Sequence, residues 1–322
     1  MKVDAAAAEE QALGGPSRSL TTRLYQSAAD LWQMYGMLMG ARSRTSDWRF
    51  AHVGELAWTY FMVDCHLDPC QYIRLWHDAG RLAGYAILGE DPSFDCQILP
   101  EYEWTGIEEE ALAWAEECLE ALRGRGVPGW GGALASGSRQ DDAKRLAFLD
   151  RHGFQYCGRF AEVNMIRSLE GPIPTGPLPE GFCIRAVDGQ AEAAGRAAIQ
   201  RDVWQPWSVG NVSAGDYARF MRMPGYEREL DLVAVAPGGT FASYVNGWID
   251  PVNHIGDFGP VGARPAYRRL GLTRALLLEG LRRMQALGMD RACISTNNTP
   301  ARSLYESVGF TVVNRYLDYL KL

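Results

Sequence analysis

The sequence predicts a mixed α/β protein with two domains, each a mixed, mostly antiparallel sheet flanked by helices. Three observations lead to this prediction. Strand-like and helix-like segments alternate through the second half of the chain. A segment rich in proline and glycine, residues 169–181, divides the 322 residues near their middle. A Gly-Phe pair ends a helix-like segment twice, at Gly153-Phe154 and at Gly309-Phe310, which indicates an internal duplication.

The first half carries the weaker pattern of the two. Residues 1–18 are polar and alanine-rich, and we expect a flexible tail there. Within a first domain at 19–168, a turn at Asp78 to Gly80 precedes a strand-like run at 81–88. Helix-like stretches follow at 108–122 and 143–152, the second ending at the first Gly-Phe pair.

The segment 169–181 contains four prolines and three glycines, which exclude a helix or a central strand. We expect an extended linker there, followed by a second domain over 182–322. Hairpin signals and β-rich composition predict strands in this domain at 182–187, 230–236, 241–248, 254–261, 291–296 and 311–320. Apolar stripes and helix-stopping residues predict helices at 191–203, 216–223, 272–287 and 300–308.

Composition excludes several classes of protein. Hydrophobic residues make up 47% and charged residues 22%, as in ordinary globular domains. The net charge of −7 argues against a nucleic-acid partner, which requires a basic face. No long uncharged apolar run predicts a membrane span, and the N-terminus lacks a signal-peptide pattern. Seven scattered cysteines without a CxxC pair favour reduced thiols in a cytoplasmic protein with no metal site.

One strand-loop-helix joint carries a chemical signal. The strand before residue 262 leads into a loop with Arg268, Arg269 and Gly271, and a helix begins immediately after it. The start of a helix presents unpaired N–H groups and partial positive charge, and glycine lets a ligand approach the backbone. With two arginines beside it, this joint is a candidate pyrophosphate site.

The joint and a second segment together resemble a known family. Residues 268–273 are similar to the R/Q-x-x-G-x-G/A loop of GNAT-superfamily N-acetyltransferases, with Thr273 in the sixth position. Asn298, Ala301, Tyr305 and the Gly-Phe pair at 309–310 resemble that superfamily's second motif, N-x-x-A-x-x-x-Y-x-x-x-G-F. The length and two-domain layout look like those of tandem GNAT proteins, a group that includes mycothiol synthase.

The resemblance implies acetyl-CoA as co-substrate. Backbone amides at the helix start would bind the pyrophosphate, the preceding strand would pair with the pantetheine arm, and the Thr273 side chain would either add a contact or crowd the phosphate. The implied cofactor residues are Val261, Gly262, Ala263, Arg268, Arg269, Leu270, Gly271, Leu272, Thr273, Arg274, Asn298 and Ala301.

The resemblance also implies roles in catalysis. Tyr305 would protonate the departing thiolate. Gly259 stands where relatives carry a glutamate, so the general base stays open between Asp257, His254 and a chain of water molecules. Trp204, Trp207 and Tyr226 lie in segments that line the acceptor pocket of this fold, and they either bind substrate or belong to the core.

The first domain looks like a degenerate copy. Glu108, Glu109 and Glu110 occupy the helix start where a phosphate would bind, and Leu149 replaces the tyrosine. We expect this domain to brace the second one or to shape its acceptor site.

The leading hypothesis is therefore an acetyl-CoA-dependent N-acetyltransferase that acts on the primary amine of a small molecule. A non-catalytic CoA-binding sensor or scaffold, and a protein-lysine acetyltransferase, are the alternatives. The protein is expected to be a monomer or a homodimer, because the last strand could either close the sheet or pair across a dimer.

Overall fold

The computed structural model describes residues 20–45, 48–59, 62, 66–206 and 210–322, with backbone only at 159–161. The predicted tail, residues 1–18, lies outside this part of the chain. Within it the strands are β1 Leu20–Leu24, β2 Ile73–Asp78, β3 Arg81–Gly89, β4 Ser93–Ile98, β5 Leu134–Arg139, β6 Gln155–Ser168, β7 Cys183–Ala186, β8 Asp231–Val235, β9 Phe241–Asp250, β10 Ile255–Ala263, β11 Arg291–Thr296 and β12 Thr311–Lys321.

Nine α-helices lie between these strands in the described ranges. They are α1 Ala28–Arg42, α2 Val53–Trp58, α3 Pro69–Tyr72, α4 Ile107–Gly124, α5 Ala143–Arg151, α6 Ala193–Trp204, α7 Ala214–Phe220, α8 Leu272–Ala286 and α9 Thr299–Ser307. The mixed α/β fold with a sheet flanked by helices is thus confirmed. No helix among the described residues is both long and apolar enough to cross a membrane.

The described strands form one continuous sheet in the order β1-β2-β3-β4-β5-β12-β6-β11-β10-β9-β8-β7. Two pairs of the described strands are parallel: one is β4 with β5, and the other is β10 with β11. The other described pairs are antiparallel. Each parallel pair follows a hairpin and is joined by one crossover helix, α4 or α8. The two halves of the chain therefore repeat the same unit, as the repeated Gly-Phe pair predicted.

The two halves exchange their last strands. Strand β12 from the C-terminal half lies between β5 and β6 of the N-terminal half. Strand β6 in turn pairs with β11, and so completes the sheet of the C-terminal half. The final strand thus closes a sheet within the chain, and it holds the two halves together through backbone hydrogen bonds.

Helix α8 illustrates how the core is built. Four members of its predicted apolar stripe are buried, with Leu276, Leu277 and Leu281 at 0% exposure, whereas the fifth, Leu287, is 45% exposed just beyond the helix end. Burial of each such side chain contributes about 1.5–3 kcal/mol before the loss of conformational entropy is counted. The helix ends at Ala286, close to the expected boundary, and Gly288 follows with a left-handed φ of 87°.

The Pro/Gly segment 169–181 packs on α8 rather than standing free. Its Leu169 and Ile173 are buried in the C-terminal core. The Gln285 side chain donates hydrogen bonds to the carbonyl oxygens of Leu169 and Gly171. At Gly176, an added Cβ would lie 2.5 Å from Ala275 Cα, so only glycine allows this close approach.

Helix α2 crosses from the N-terminal half onto the C-terminal sheet. An added Cβ on Gly54 would lie 2.2 Å from Trp248 Cγ, so the helix backbone rests directly on that indole ring. His52 caps the helix by accepting a hydrogen bond from the Gly54 N–H at 3.1 Å. This contact fixes the side chains of α2 relative to β9 and β10.

Candidate active site

A large cavity lies where β10 and β11 separate. The two strands pair in parallel only from Ile255 with Arg291 to Phe258 with Ile294. Beyond that point the register of β10 with β9 shifts between Phe258 and Val261. The resulting gap opens into a cavity of about 1290 Å³ lined by both halves of the chain. That volume exceeds the usual range for one drug-sized ligand and has room for two substrates.

The predicted cofactor strand borders this cavity. Val261, Gly262 and Ala263 all line it, at the place where β10 has lost its neighbour β11. Backbone N–H and C=O groups at such a gap can pair with an extended ligand, as an added strand would. Arg268 also lines the cavity, and its Nε donates a 3.2 Å hydrogen bond to the carbonyl oxygen of Ala263.

The loop beyond Arg268 shapes the start of α8. Arg269 has φ 66° and Gly271 has φ 78°, both in the left-handed region. Gly271 caps the helix without a side-chain hydrogen bond, so the first-turn amides of Leu272, Thr273 and Arg274 remain available to an anion. Leu270 is exposed in the same loop.

The Thr273 side chain points away from this anion site. Its Oγ1 lies 2.9 Å from Ser243 Oγ on β9, and Ser243 donates to the carbonyl oxygen of Gly262 at 2.8 Å. The threonine that departs from the family pattern therefore contacts the sheet through its hydroxyl. Its N–H belongs to the first turn of α8.

Helix α9 brings the second motif to the same cavity. Asn298 caps the helix, and its Oδ1 accepts a 3.1 Å hydrogen bond from the Ala301 N–H. Asn298, Ala301 and Tyr305 all line the cavity. Tyr305 is 5% exposed, and burial raises the pKa of its phenol above the usual value of 10. The phenol therefore stays protonated at neutral pH.

Of the two candidate bases, the structure brings only Asp257 into the cavity. Burial raises the pKa of Asp257 to about 7, Arg42 lowers it, and Glu162 raises it further. His254 is exposed in the turn before β10, where its Nδ1 lies 3.2 Å from the carbonyl oxygen of Gly288. A turn position with φ 53° at the far end of β10 explains why His254 lies outside the cavity lining.

Gly259 lies on the cavity side of β10. An added Cβ there would meet nothing within 4 Å, so the position faces open space. Asp257 stands two residues earlier on the same face of the strand. On this face of β10, Asp257 therefore provides a carboxyl group two residues before the position at which the resemblance places one.

Carboxylates of the N-terminal half were missed by the sequence reasoning. Glu55 on α2, Asp95 on β4 and Glu162 on β6 line the same cavity as Asp257. Burial raises the pKa of both Glu55 and Glu162, and the neighbouring carboxylates raise that of Glu55 further. The sequence signal for this cluster is Glu55, a single acid in the otherwise apolar run Val53–Trp58. The other carboxylates of the cluster lie far from it in sequence, so the signal alone does not reveal the cluster.

The predicted acceptor aromatics have different surroundings. Trp204 lines the cavity, and its Nε1 donates a 2.6 Å hydrogen bond to the Tyr244 hydroxyl. Tyr226 lies outside the lining, because its hydroxyl donates to Asp231 at 2.9 Å within a buried network that includes Arg196. Trp207 lies outside the described residues.

The N-terminal half keeps the loop geometry of the cofactor site but fills it. Trp104 has φ 59° and Gly106 has φ 112°, at the same spacing as the left-handed pair before α8. Here Glu108 Oε1 accepts a 2.7 Å hydrogen bond from the Trp104 N–H. Glu108 is 2% exposed, burial raises the pKa of its carboxyl group, and that group occupies the helix start where it would exclude a phosphate.

In the N-terminal half an arginine side chain crosses the gap between β4 and β5, in a part of the molecule that lines the same cavity. Arg145 on α5 donates 3.0 Å hydrogen bonds to Cys96 Sγ on β4 and to Ser136 Oγ on β5. Arg145 is the third residue after Asp142, which caps α5. The third residue after Asn298, which caps α9, is Ala301, and its methyl group leaves the gap between β10 and β11 open. Leu149 is fully buried in the position equivalent to Tyr305.

Comparison with known proteins agrees with this architecture. Residues 196–310 match the acetyltransferase (GNAT) family. A mycothiol acetyltransferase of Thermobispora bispora is 30% identical over 247 residues, which cover 74% of this chain and 79% of the relative. One of Pseudarthrobacter chlorophenolicus is 29% identical over 245 residues, covering 71% of each chain.

A solved structure shows the same fold over nearly the whole chain. It is described as a tandem GNAT protein from the clavulanic acid biosynthesis pathway, and it superimposes with a TM-score of 0.62 at 14% identity. The match covers 94% of this chain and 98% of that one. The chain belongs to the GNAT family of acetyltransferases, in its tandem two-domain form.

Proposed function

We propose that the protein transfers the acetyl group of acetyl-CoA to the primary amine of a small molecule inside the cavity between the two halves. The observation that carries this proposal is that Asp257 and Tyr305, a carboxyl with a pKa of about 7 and a protonated phenol, line one cavity. Acetyl transfer to an amine requires one group that accepts a proton and one that donates a proton.

The C-terminal half would bind the donor. The pyrophosphate would accept hydrogen bonds from the amides at the start of α8, and Arg268 would add positive charge. The pantetheine arm would pair with Val261 to Ala263 and so direct the thioester toward Tyr305. Asn298 and Ala301 would border the arm from the side of α9.

The reaction would proceed by direct attack. The acceptor binds as an ammonium ion, and Asp257 takes one proton from it. The neutral amine nitrogen then forms a bond to the thioester carbonyl carbon as the bond from that carbon to sulfur breaks. Tyr305 gives its proton to the departing thiolate, and the second amine proton restores the phenol through solvent. Holding both reactants in one cavity supplies the proximity that the step requires.

The N-terminal half would not bind a second donor. Glu108 and Arg145 fill the two places that correspond to the pyrophosphate site and the strand gap. We infer that residues 19–168 form a degenerate domain that contributes one wall of the acceptor site. The domain formed by residues 182–322 would hold the donor, with 169–181 joining the two.

Calorimetric titration with acetyl-CoA tests the proposal on a matched pair of variants. Gly271→Glu and Gly106→Glu each place a carboxylate and the same left-handed strain at a helix start. We expect wild type and Gly106→Glu to bind one acetyl-CoA per chain, and Gly271→Glu to bind none. Circular dichroism checks that both variants fold. Amines are then screened by the release of free thiol.

Three results would contradict this assignment. Absence of binding by the wild-type protein would remove the donor site altogether. Two bound molecules per chain would mean that the N-terminal half is a working site. Binding without thiol release for any amine would leave the donor site standing and refute amine acetylation.

A further inference from the structure

Strand β10 carries an extra residue at the point where it leaves β11. Phe258 pairs with Gly247 of β9 and Val261 pairs with Val245, so three steps along β10 match two steps along β9. Such a bulge interrupts the ladder of backbone hydrogen bonds and leaves groups that need other partners. The carbonyl oxygen of Gly259, inside the bulge, accepts its hydrogen bond from a side chain.

The donor is the indole of Trp248 on β9. Its Nε1 lies 2.8 Å from the Gly259 carbonyl oxygen, and the residue is 1% exposed. Trp248 pairs with Asp257 across the two strands, so its side chain lies on the same face of the sheet as the Asp257 carboxyl group. The hydrogen bond therefore fixes the bulge that lies between Asp257 and the predicted cofactor strand, residues 261–263.

Helix α2 of the N-terminal half holds this indole in place. An added Cβ on Gly54 would lie 2.2 Å from Trp248 Cγ, so the helix backbone is in direct contact with the tryptophan. Phe220 of α7 contacts the same indole edge to face, with 5.5 Å between the ring centroids. A change in the orientation of the indole therefore requires a movement of α2 or of α7.

Helix α2 makes a second contact with β10 through its N-cap residue. His52 Nδ1 accepts a 3.1 Å hydrogen bond from the Gly54 N–H, which assigns the ring proton to Nε2. That nitrogen lies 3.4 Å from the Ile255 carbonyl oxygen, to which it donates. Burial lowers the pKa of His52 to about 3, so the ring is neutral at neutral pH. The helix thus reaches β10 on both sides of Asp257, directly at Ile255 and through the indole at Gly259.

We propose that α2 positions the catalytic segment of β10 and that Trp248 is the positioning residue through which it acts. This inference rests on the proposed amine acetylation and gives the N-terminal half a part in the reaction beyond lining the cavity. Trp248 lies outside the cavity lining, so its effect on the reaction passes through the backbone of β10.

The position of this segment matters because both reactants are aligned on it. Asp257 takes the proton of the amine before the bulge, and Val261 to Ala263 hold the pantetheine arm after it. A misplacement of about 1 Å between reacting groups can reduce a rate about 10²-fold. Without the indole donor, the Gly259 carbonyl group is free to turn, and the two parts of β10 lose their fixed relative position.

A matched pair of tryptophan variants separates positioning from stability. Trp248→Phe removes the hydrogen bond and keeps an aromatic ring. Trp76→Phe is the control, because the buried indole of Trp76 also donates a 2.8 Å hydrogen bond, to Glu110 Oε2, and lies outside the cavity lining. The measurements are kcat with the best amine, the Kd for acetyl-CoA, the thermal midpoint, and amide hydrogen exchange over residues 255–263.

We expect both tryptophan variants to lose thermal stability to a similar extent. Only Trp248→Phe should lower kcat, by about tenfold or more. Its Kd for acetyl-CoA should change less than about threefold, because the amides at the start of α8 still bind the pyrophosphate. Exchange over residues 255–263 should become about tenfold faster in Trp248→Phe and stay unchanged in Trp76→Phe.

A second pair of variants tests the link to the N-terminal half. Gly54→Ala would push α2 away from the indole, whereas Gly36→Ala adds a methyl group to α1 at a position where nothing lies within 4 Å. We expect Gly54→Ala to reproduce the loss of kcat and the faster exchange over residues 255–263, and Gly36→Ala to show neither change.

Four results would contradict the inference. An unchanged kcat in Trp248→Phe would refute the positioning role, and so would equal exchange rates over residues 255–263 in the two tryptophan variants. An equal loss of kcat in Trp76→Phe would attribute the effect to stability alone. A wild-type kcat in Gly54→Ala would refute the role of α2. If the wild-type protein acetylates no amine, the proposed function fails, and the exchange rates alone decide whether the indole anchors β10.

Discussion

Asn164 of β6 donates a 2.6 Å hydrogen bond from its Nδ2 to Oδ1 of Asn314 on β12, and both side chains are buried. The two residues are paired in register at the centre of the sheet, where the exchanged strands of the two halves meet. A buried amide pair satisfies its polar groups only when the two strands keep this register. The pair therefore couples the folding of one half to that of the other.

Removing one member of this pair should destabilise the whole chain. In Asn314→Ala, the Asn164 amide loses its acceptor while it remains buried, which costs about 1–3 kcal/mol. We expect the free energy of unfolding in urea to fall by that amount in one cooperative transition. Val313→Ala on the exposed side of β12 is the control and should change it by less than about 0.5 kcal/mol. Two separate transitions in the wild-type protein would contradict the coupling.

The strand exchange itself could not be predicted from the sequence. Local patterns indicate that 311–320 is a strand, but they carry no information about which strand lies beside it. Four strands, β1, β4, β5 and β6, and three helices, α1, α2 and α3, are also absent from the sequence prediction. In β5, Leu134–Arg139, a glycine and two serines replace the β-branched pattern that would have indicated a strand. By contrast, the apolar stripe of α8 predicted both that helix and its buried face.

The same distinction holds for the candidate site. A contiguous motif located the loop before α8 and the cap of α9, since those groups act within a few residues of each other. Glu55 and Glu162 belong to different elements, and only tertiary packing brings them beside Asp257. The ordinary pKa of histidine makes His254 a candidate base, but a pKa gives no information about which end of β10 faces the cavity.

Acetyl transfer should depend on the ionisation of Asp257. The carboxyl must be deprotonated to accept a proton, and its pKa is about 7, so kcat/KM should rise up to about pH 7 and then level off. In Asp257→Asn we expect kcat to fall about 10²- to 10⁴-fold, with acetyl-CoA binding unchanged. A pH–rate profile that keeps its limb near 7 in this variant would assign the base elsewhere.

The same carboxyl should make folding stability depend on pH. Its pKa is raised from 3.8 to about 7 on folding, so it favours the folded state most below pH 4 and loses this contribution as the pH rises through 7. Asp257→Asn should therefore be more stable than wild type at pH 8, by a larger margin than at pH 5. Urea unfolding of both proteins at the two pH values measures the difference. An equal margin at both would mean that the carboxyl is not buried at a raised pKa.

Tyr305→Phe should separate catalysis from binding. Phenylalanine keeps the ring that packs against Phe310 but removes the proton that the departing thiolate needs. We expect kcat to fall about 10²-fold, while the Kd for acetyl-CoA and the thermal midpoint change little. The pH limb assigned to Asp257 should persist in this variant, because the two groups act on different atoms. An unchanged kcat would mean that Tyr305 does not donate the proton and only packs in the core.

Arg145 should hold the N-terminal gap closed without being needed for the donor. Its guanidinium joins β4 to β5 through Cys96 and Ser136, so Arg145→Ala loses both hydrogen bonds and the contact with Phe148. We expect the free energy of unfolding to fall by about 1–3 kcal/mol, with exposed Lys144→Ala as the neutral control.

The number of acetyl-CoA molecules bound per chain of Arg145→Ala then shows whether closure of the gap is what prevents the N-terminal half from binding a donor. Glu108 still occupies the start of α4 after the change, because its hydrogen bond to the Trp104 N–H does not involve Arg145. Calorimetry should therefore still give one acetyl-CoA per chain. A second binding event in Arg145→Ala would mean that the carboxylate at the helix start does not exclude a pyrophosphate. The arginine would then be the single feature that silences this half.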